Sequence, residues 1–513
     1  MEEKSVGDVK YLYGAAVQGI QGFIFQTNEL KDIVGASELV EEICTTAFDE
    51  FGGSKENSII RAAGNIKHIF TNKAVCETAF RKFPKKVMTM APGITISQAV
   101  VPMVGKFESF ENAVEKLESR LRAQRNKPMR SITMGLIGVL RSRKTGLPVY
   151  RTIDDEYLDE ATFRKRYIED KKVQKEYRKR TTKNLCKKSF NIENINDNRI
   201  AYYIEEITKH NDWIAIIHAD GNGLGQIVSK IGTDEDQLKD FSTKLDEATV
   251  TAANLAYEAV VEKYEIKENE IIPIRPIVLG GDDFTAICRG DIALFYVSVF
   301  LKQFEIQSKL LLEDKIKMAF GEGSDKLTSC AGVAFIKSSY PFYYGYDLAE
   351  SLCDRAKKDA KKEENKENGL APSCLMFHKV QDSFVVDFDE IAKRELTPIK
   401  DKVSFEYGPY YLKEKDGRMS LDDLMFYPIV LSTKEGNAIK SNLREWMTIL
   451  YDKKIDAASL KCERIETILS SSARSIFSKL IKYRTDGKKC IYPVYDVLSL
   501  CSIINQVTKA EEK

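Results

Sequence analysis

Two adjacent aspartates, Asp282 and Asp283, follow two glycines, Gly280 and Gly281, between apolar runs at 271–279 and 284–288. Small flexible residues flanked by β-prone ones mark a tight hairpin. A pair of carboxylates at its tip resists joint ionisation unless a cation holds it. Glycine lets the backbone turn sharply and lets a bulky phosphate approach. Mg²⁺ (or Mn²⁺), which takes a few carboxylates together with substrate phosphates, suits such a tip. Taken alone, the tetrapeptide is equally a solvated turn. A third carboxylate stands in Ala219-Asp220-Gly221-Asn222-Gly223-Leu224-Gly225, directly after the apolar run 213–219. Gly221, Gly223 and Gly225 would open space at a helix start, where backbone N–H groups and the helix dipole favour phosphate. Asn222 either orients the site or simply favours the turn.

These side chains are far apart in sequence, so the fold has to bring them together. From about 202 to 380 the pattern reads as a strand (213–219), a long helical region (224–264), the hairpin, a helix (291–313), a strand (329–337), a helix (345–362) and a last strand (374–380). A β-α-β-β-α-β core of this kind is the ferredoxin-like plan, an α+β fold. In it the first two strands run parallel, so the end of the first and the hairpin tip share one edge of the sheet. Asp220 is therefore expected beside Asp282 and Asp283. A fainter copy precedes it, with a strand at 10–17, a helix containing Lys31 and Ser37, a hairpin at 58–71, and further elements to about 126. That hairpin carries no acidic pair. Two unrelated α/β domains are the plainer alternative.

The expected organisation is a degenerate first domain (1–150), a basic linker (151–201), a second domain with the acidic site (202–385) and a mainly helical C-terminal domain (386–513). The Lys/Arg-rich stretch 164–188 reads as a nucleic-acid contact or as a solvated link. Over 513 residues, 43% are hydrophobic and 30% charged, and the net charge is +1, so any nucleic-acid surface must be local. No apolar run reaches membrane-spanning length and the start of the chain is charged, which predicts a cytoplasmic protein without membrane partners. Ten cysteines form no C-x-x-C pair and read as reduced core residues. Four histidines, His68, His210, His218 and His378, include no His-Asp pair, and His218 reads as a core residue of its strand.

In this order the motifs resemble the large polymerase-like subunit of type III CRISPR effector complexes, whose two Palm domains share the plan of GGDEF cyclases. The resemblance rests on Val17-Gln18-Gly19-Ile20-Gln21-Gly22-Phe23-Ile24-Phe25 with Lys31 and Gly35-Ala36-Ser37, on the Asp220 segment, on Gly280-Gly281-Asp282-Asp283, and on the stretch from Ser329 through Leu348-Ala349-Glu350 to Arg355-Ala356-Lys357. Full-length members usually begin with an HD nuclease domain, whereas this chain starts directly in the first Palm and is expected to be a compact variant. The stretch Arg141–Pro148 stands near the family's zinc element but lacks its cysteines.

The reading that follows is a metal-dependent nucleotidyltransferase, with Asp220, Asp282 and Asp283 as catalytic metal ligands and ATP as substrate. Lys357 and Lys361, one helical turn apart, would reach triphosphate oxygens. Ser37 and Lys31 would help hold a second nucleotide. The product would be a cyclic or linear oligonucleotide messenger, and the resemblance makes adenylates the default. Partners implied are nucleoside triphosphates, RNA and other effector-complex subunits, and a homodimer would suit ring closure. An RNA-binding scaffold with a silent site and a cyclic dinucleotide synthase stay open as alternatives.

Overall fold

The computed structural model describes residues 9–103, 109–127, 138–168, 178–179, 184–208, 213–232, 234–382, 387–415 and 417–511. Two sheets repeat one strand order. In the first, β1 (Lys10–Gln18), β2 (Ser58–Ala62), β3 (Asn65–Phe70) and β4 (Thr95–Met103) run β2-β3-β1-β4. In the second, β5 (Trp213–Gly221), β6 (Ile274–Gly280), β7 (Asp283–Arg289) and β8 (Ser329–Lys337) run β6-β7-β5-β8. Every neighbouring pair within these quartets is antiparallel. The duplicated ferredoxin-like plan is present.

β5 explains its own sequence. It is central, and Trp213 to Ala219 are all buried. A strand covered on both faces reads as a continuous apolar run rather than as an alternation. The helices α7 (Gly290–Phe320) and α8 (Phe342–Ala360) supply the two covers. On the first face Phe284 stacks on Tyr296 and Phe300 of α7, with ring centroids 5.6 and 4.8 Å away. On the other, α8 approaches so closely that a Cβ on Gly332 would lie 1.9 Å from the Ala349 carbonyl.

Two expectations need correction. The helical region 224–264 is two helices, α5 (Leu224–Ile231) and α6 (Glu235–Lys263). Asp234 starts the second by accepting from the N–H groups of Asp236 and Gln237. The helix foreseen at 291–313 runs on to Phe320. The C-terminal region carries the helices Leu421–Ser432, Lys434–Tyr451, Ile455–Ile468, Ser471–Ile481 and Val494–Glu511, but also a three-stranded sheet. It also extends the second sheet: the foreseen last strand β9 (Cys374–Lys379) lies parallel to β8, and β10 (Tyr410–Tyr411) of the C-terminal region pairs with β9. Strands of two or three residues leave no periodicity to read.

Four shorter helices matter for the site: α1 (Ile20–Ile24), α2 (Leu30–Cys44), α3 (Glu160–Arg166) and α4 (Asn184–Phe190). Of the basic stretch 164–188, residues 169–177 and 180–183 lie outside the described residues, and with them most of the foreseen nucleic-acid contact. Two of its described cations are buried for structure. Lys165 Nζ donates to the Phe23 carbonyl and to Gln26, and Arg166 pairs with Asp32 and Glu156. Among the described residues, no helix is long and apolar enough to cross a membrane.

Candidate active site

Gly280 pairs with Asp283 and Leu279 with Phe284, so Gly281 and Asp282 alone form the hairpin loop. Gly281 adopts φ +64°. A left-handed glycine at the first loop position is what a two-residue hairpin of this kind requires. β7 then pairs with β5 in the register Phe284↔Ala219, which sets Asp283 next to Asp220. Because pleating alternates, Asp220, Asp283, His218 and Thr285 face α8, while Phe284 is anchored on the opposite side.

The Asp220 and Asp282 side chains lie close enough for each to shift the other's protonation. Gly221 permits this approach, since a Cβ there would lie 2.9 Å from that of Asp282. Burial, together with the bond to Asp220 and its charge, pushes Asp282 up to about 8. Burial and the charges of Asp220 and Glu350 push Asp283 up to about 7. Asp220 goes the other way. Burial opposes its charge, but the hydrogen bond from Asp282 and the Lys357 ammonium hold it below the ordinary carboxylate range. Lys357, in the last turn of α8, donates to Asp220 Oδ2 and, at 3.1 Å, to the Gly221 carbonyl.

Asp283 is less well served. Its Oδ1 is buried without a hydrogen-bond partner, and His218 Nδ1 stands 3.6 Å away. His218 itself contacts Thr285 Oγ1 at 3.1 Å through the same nitrogen. Among the described residues, no three His, Cys, Asp or Glu side chains are grouped to hold a metal ion. The foreseen triad is thus a touching pair, Asp220 and Asp282, with Asp283 beside it. The pair forms because Asp282 leaves the turn over Gly221, whereas Asp283 leaves the strand toward α8 and His218.

The other candidate residues separate into those near the pair and those elsewhere. Gly223 caps α5 at φ +80°, and Gly225 opens onto free space in its first turn. Asn222 is buried away from the carboxylates; its side chain donates to Thr328 Oγ1 and Cys330 Sγ, and its N–H to the Thr328 carbonyl. It anchors the loop to β8. Gly280 packs against Ala62 of the first palm. Lys361 is exposed at the C-cap of α8. Ser37 Oγ donates to the Ile277 carbonyl of β6, so it ties the palms together. It also lines a cavity of about 150 Å³ with Ile24, Phe25, Leu279, Asp283 and Tyr346. Lys31 lies 4.0 Å from Glu156, on the linker side.

Sequence reasoning quoted Gln21 only as part of a motif and missed Tyr346. Gln21 Nε2 donates to Glu350 Oε1 at 3.0 Å and to the Tyr346 hydroxyl at 3.2 Å, bridging α1 to α8. Tyr346, Glu350, Cys353 and Lys357 are spaced four, three and four apart, one stripe of a helix. That spacing was a usable signal.

Residues 213–366 match the family described as Cas10/Cmr2, second palm domain. Over this segment the chain is similar to a Cas10/Cmr2 second palm. Asp220, Asp282, Asp283 and Lys357 of the Cas10-like chain all lie inside it, and Ser37 lies outside. Among solved structures, a chain of a Csm1–Csm4 cassette in complex with cA4 is similar over 97% of this chain and 70% of its own length, with 13% identity and a TM-score of 0.57. Csm1 of T. onnurineus aligns over 98% and 70%, with 13% identity and a TM-score of 0.56. A Csm1–Csm4 cassette with AMPPNP gives 98% and 70%, 14% and 0.52. At such identities the likeness is one of fold, and it extends across both four-stranded units of the chain. Among curated proteins, none matches the sequence.

Proposed function

We propose that the chain is a metal-dependent nucleotidyltransferase that converts ATP into cyclic or linear oligoadenylates as part of a type III-like CRISPR effector. The observation that carries this is the Asp220–Asp282 contact, with Lys357 on one side and Asp283 on the other. Structures of the same fold, solved with AMPPNP and cA4 in Csm1–Csm4 cassettes, support adenine nucleotides as ligands and effector subunits as partners.

The donor set fits a hard divalent cation. It offers carboxylate oxygens alone, two groups in contact, and one buried Asp283 oxygen without a partner. Asp220 and Asp282 would hold Mg²⁺ or Mn²⁺, and Asp283 would complete the set. When bound, such an ion supplies charge stabilisation for the triphosphate and for the leaving pyrophosphate. The chain's own part begins with the proton on Asp282, which has to leave before that carboxyl can serve as a ligand. Lys357 holds a fixed positive charge at the mouth of the site, suited to a phosphate oxygen. The start of α5, open at Gly225, leaves backbone N–H groups for the same purpose. The apolar cavity beside Asp283 gives a flat base a place out of water. In the transfer, a ribose hydroxyl oxygen bonds to the α-phosphorus, the bond from that phosphorus to pyrophosphate breaks, and the hydroxyl proton is lost.

Incubating the purified protein with labelled ATP or GTP and Mg²⁺ or Mn²⁺, with and without RNA, tests this reading. Oligoadenylate that vanishes in the Asp282→Ala/Asp283→Ala variant is the expected result. No product under any condition, with tight salt-sensitive RNA binding, would favour the silent scaffold instead.

A further inference from the structure

The acidic turn is gripped from outside its own sheet. Asp246 and Thr249, three residues apart on α6, reach the two polar ends of Gly281. The Gly281 N–H donates to Asp246 Oδ1 at 3.2 Å, and Thr249 Oγ1 donates to the Gly281 carbonyl at 2.5 Å. The hydroxyl also lies 2.9 Å from the Leu245 carbonyl, the acceptor a helical threonine commonly uses. Lys188 of α4 adds a third hold, donating to Asp246 Oδ1 at 3.1 Å and to the Leu279 carbonyl at 3.2 Å. Thr249 is fully buried, and Asp246 is half-buried.

The turn needs such a grip for two reasons. Its sheet pairing ends at Gly280 and Asp283, so the ladder places no bond on the Gly281 peptide. Glycine at positive φ leaves that peptide soft. Whenever Asp282 and Asp283 lose their protons with no cation bound, they also repel Asp220 and drive the loop outward unless something opposes them. Fixing both polar groups of Gly281 fixes the point from which Asp282 departs, and Asp282 is the residue that meets Asp220. Ala62 of the first palm closes the remaining side, 3.2 Å from where a Gly280 Cβ would stand.

We propose that Asp246, Thr249 and Lys188 are positioning residues that clamp the Gly281 backbone and so hold Asp282 against Asp220. Their catalytic consequence rests on the transferase reading of that pair; the clamp itself does not. None of the three touches the carboxylates of the pair, and none stands in the motifs that suggested the site.

Hydrogen exchange by mass spectrometry, followed on peptides covering 274–289, reads the clamp directly. Thr249→Val and Asp246→Ala should accelerate exchange at the hairpin about tenfold, the scale of one lost hydrogen bond, with exchange elsewhere unchanged. Thr249→Ser should behave as the wild type. In ATP turnover the first two variants should lose about 10- to 100-fold in kcat with KM within about twofold, and Thr249→Ser should restore the rate. If Thr249→Val fails to fold, Asp246→Ala carries the test from a half-exposed position. Unchanged hairpin exchange in the variants that fold would overturn the clamp. Faster exchange with an unchanged kcat would overturn the positioning role. If the wild type makes no product, the transferase reading fails by itself, and hairpin exchange alone still upholds or overturns the clamp.

Discussion

Asp220 and Asp282 meet only because position 221 has no side chain. A Cβ there would sit 2.9 Å from the Asp282 Cβ and 3.0 Å from Leu224 Cδ1. Gly221→Ala should therefore push the pair apart, cutting product formation at least about tenfold while lowering Tm by only a few degrees. Thermal melts run beside the turnover assay check both halves of that expectation. The protons on the site give a second one. Asp282 at about 8 and Asp283 at about 7 keep protons near neutrality that an ordinary aspartate would have lost. Cation binding at pH 7 should displace about one to two protons, and affinity should rise as the pH climbs toward 8. Calorimetric titration of Mn²⁺ in buffers of different ionisation enthalpy measures the number; binding without proton release would mean that these carboxyls are not the ligands. Lys357 offers a third handle. Lys357→Met keeps the stem and removes the charge, and should cost on the order of 100-fold in turnover while Asp220 rises toward its usual range.

Among the elements, those that present the acids were the legible ones. Gly-Gly-Asp-Asp between two apolar runs gave the hairpin, and the unbroken run 213–219 gave a central strand. Both signals come from the local backbone or from burial on two faces. The break between α5 and α6 was written in Gly232 and Asp234, yet apolar spacing on either side masked it. Only the turn chemistry of Asn222 is visible locally, whereas its partners Thr328 and Cys330 are more than a hundred residues away. The segment with Lys31 and Ser37 was read as a nucleotide contact, while its glycine serves packing: a Cβ on Gly35 would fall 1.9 Å from the Lys165 carbonyl. Residues that hold another element's backbone, such as Thr249, leave no pattern at all. Phe284 shows how an element carries the chemistry beside it. It is fully buried, follows the acid pair directly, and anchors β7 on α7. Phe284→Ala should cost about 3–5 kcal/mol by denaturant unfolding.

At the scale of the molecule, the site lies where three parts of the chain meet. The first palm reaches it through Ser37, Gln21 and the Asn28 side chain, which accepts from the Phe342 N–H at the start of α8. The C-terminal region reaches it through the far end of α8, where Asp359 accepts from Arg418 at 2.6 Å and from the Tyr411 hydroxyl at 2.7 Å, two residues beyond Lys357. That region has a pH dependence of its own. Asp496 accepts from the Tyr410 hydroxyl at 2.6 Å, and burial pushes it from 3.8 to about 7. Between those values the folded chain binds a proton that the unfolded chain has lost, so this contribution to stability is complete at low pH and fades as the pH rises through 7. A separation of that size corresponds to at most about 4 kcal/mol. Asp496→Asn should flatten the slope of Tm against pH between 5 and 7, and an unaltered slope would place the cause elsewhere. The most direct test of nucleotidyl transfer is the yield of pyrophosphate for each ATP consumed. One pyrophosphate per nucleotide bond formed, hence one per ATP for rings and less than one for linear products, lost in Asp282→Ala/Asp283→Ala, is the predicted result; orthophosphate in its place, or equal release from the double variant, would contradict it.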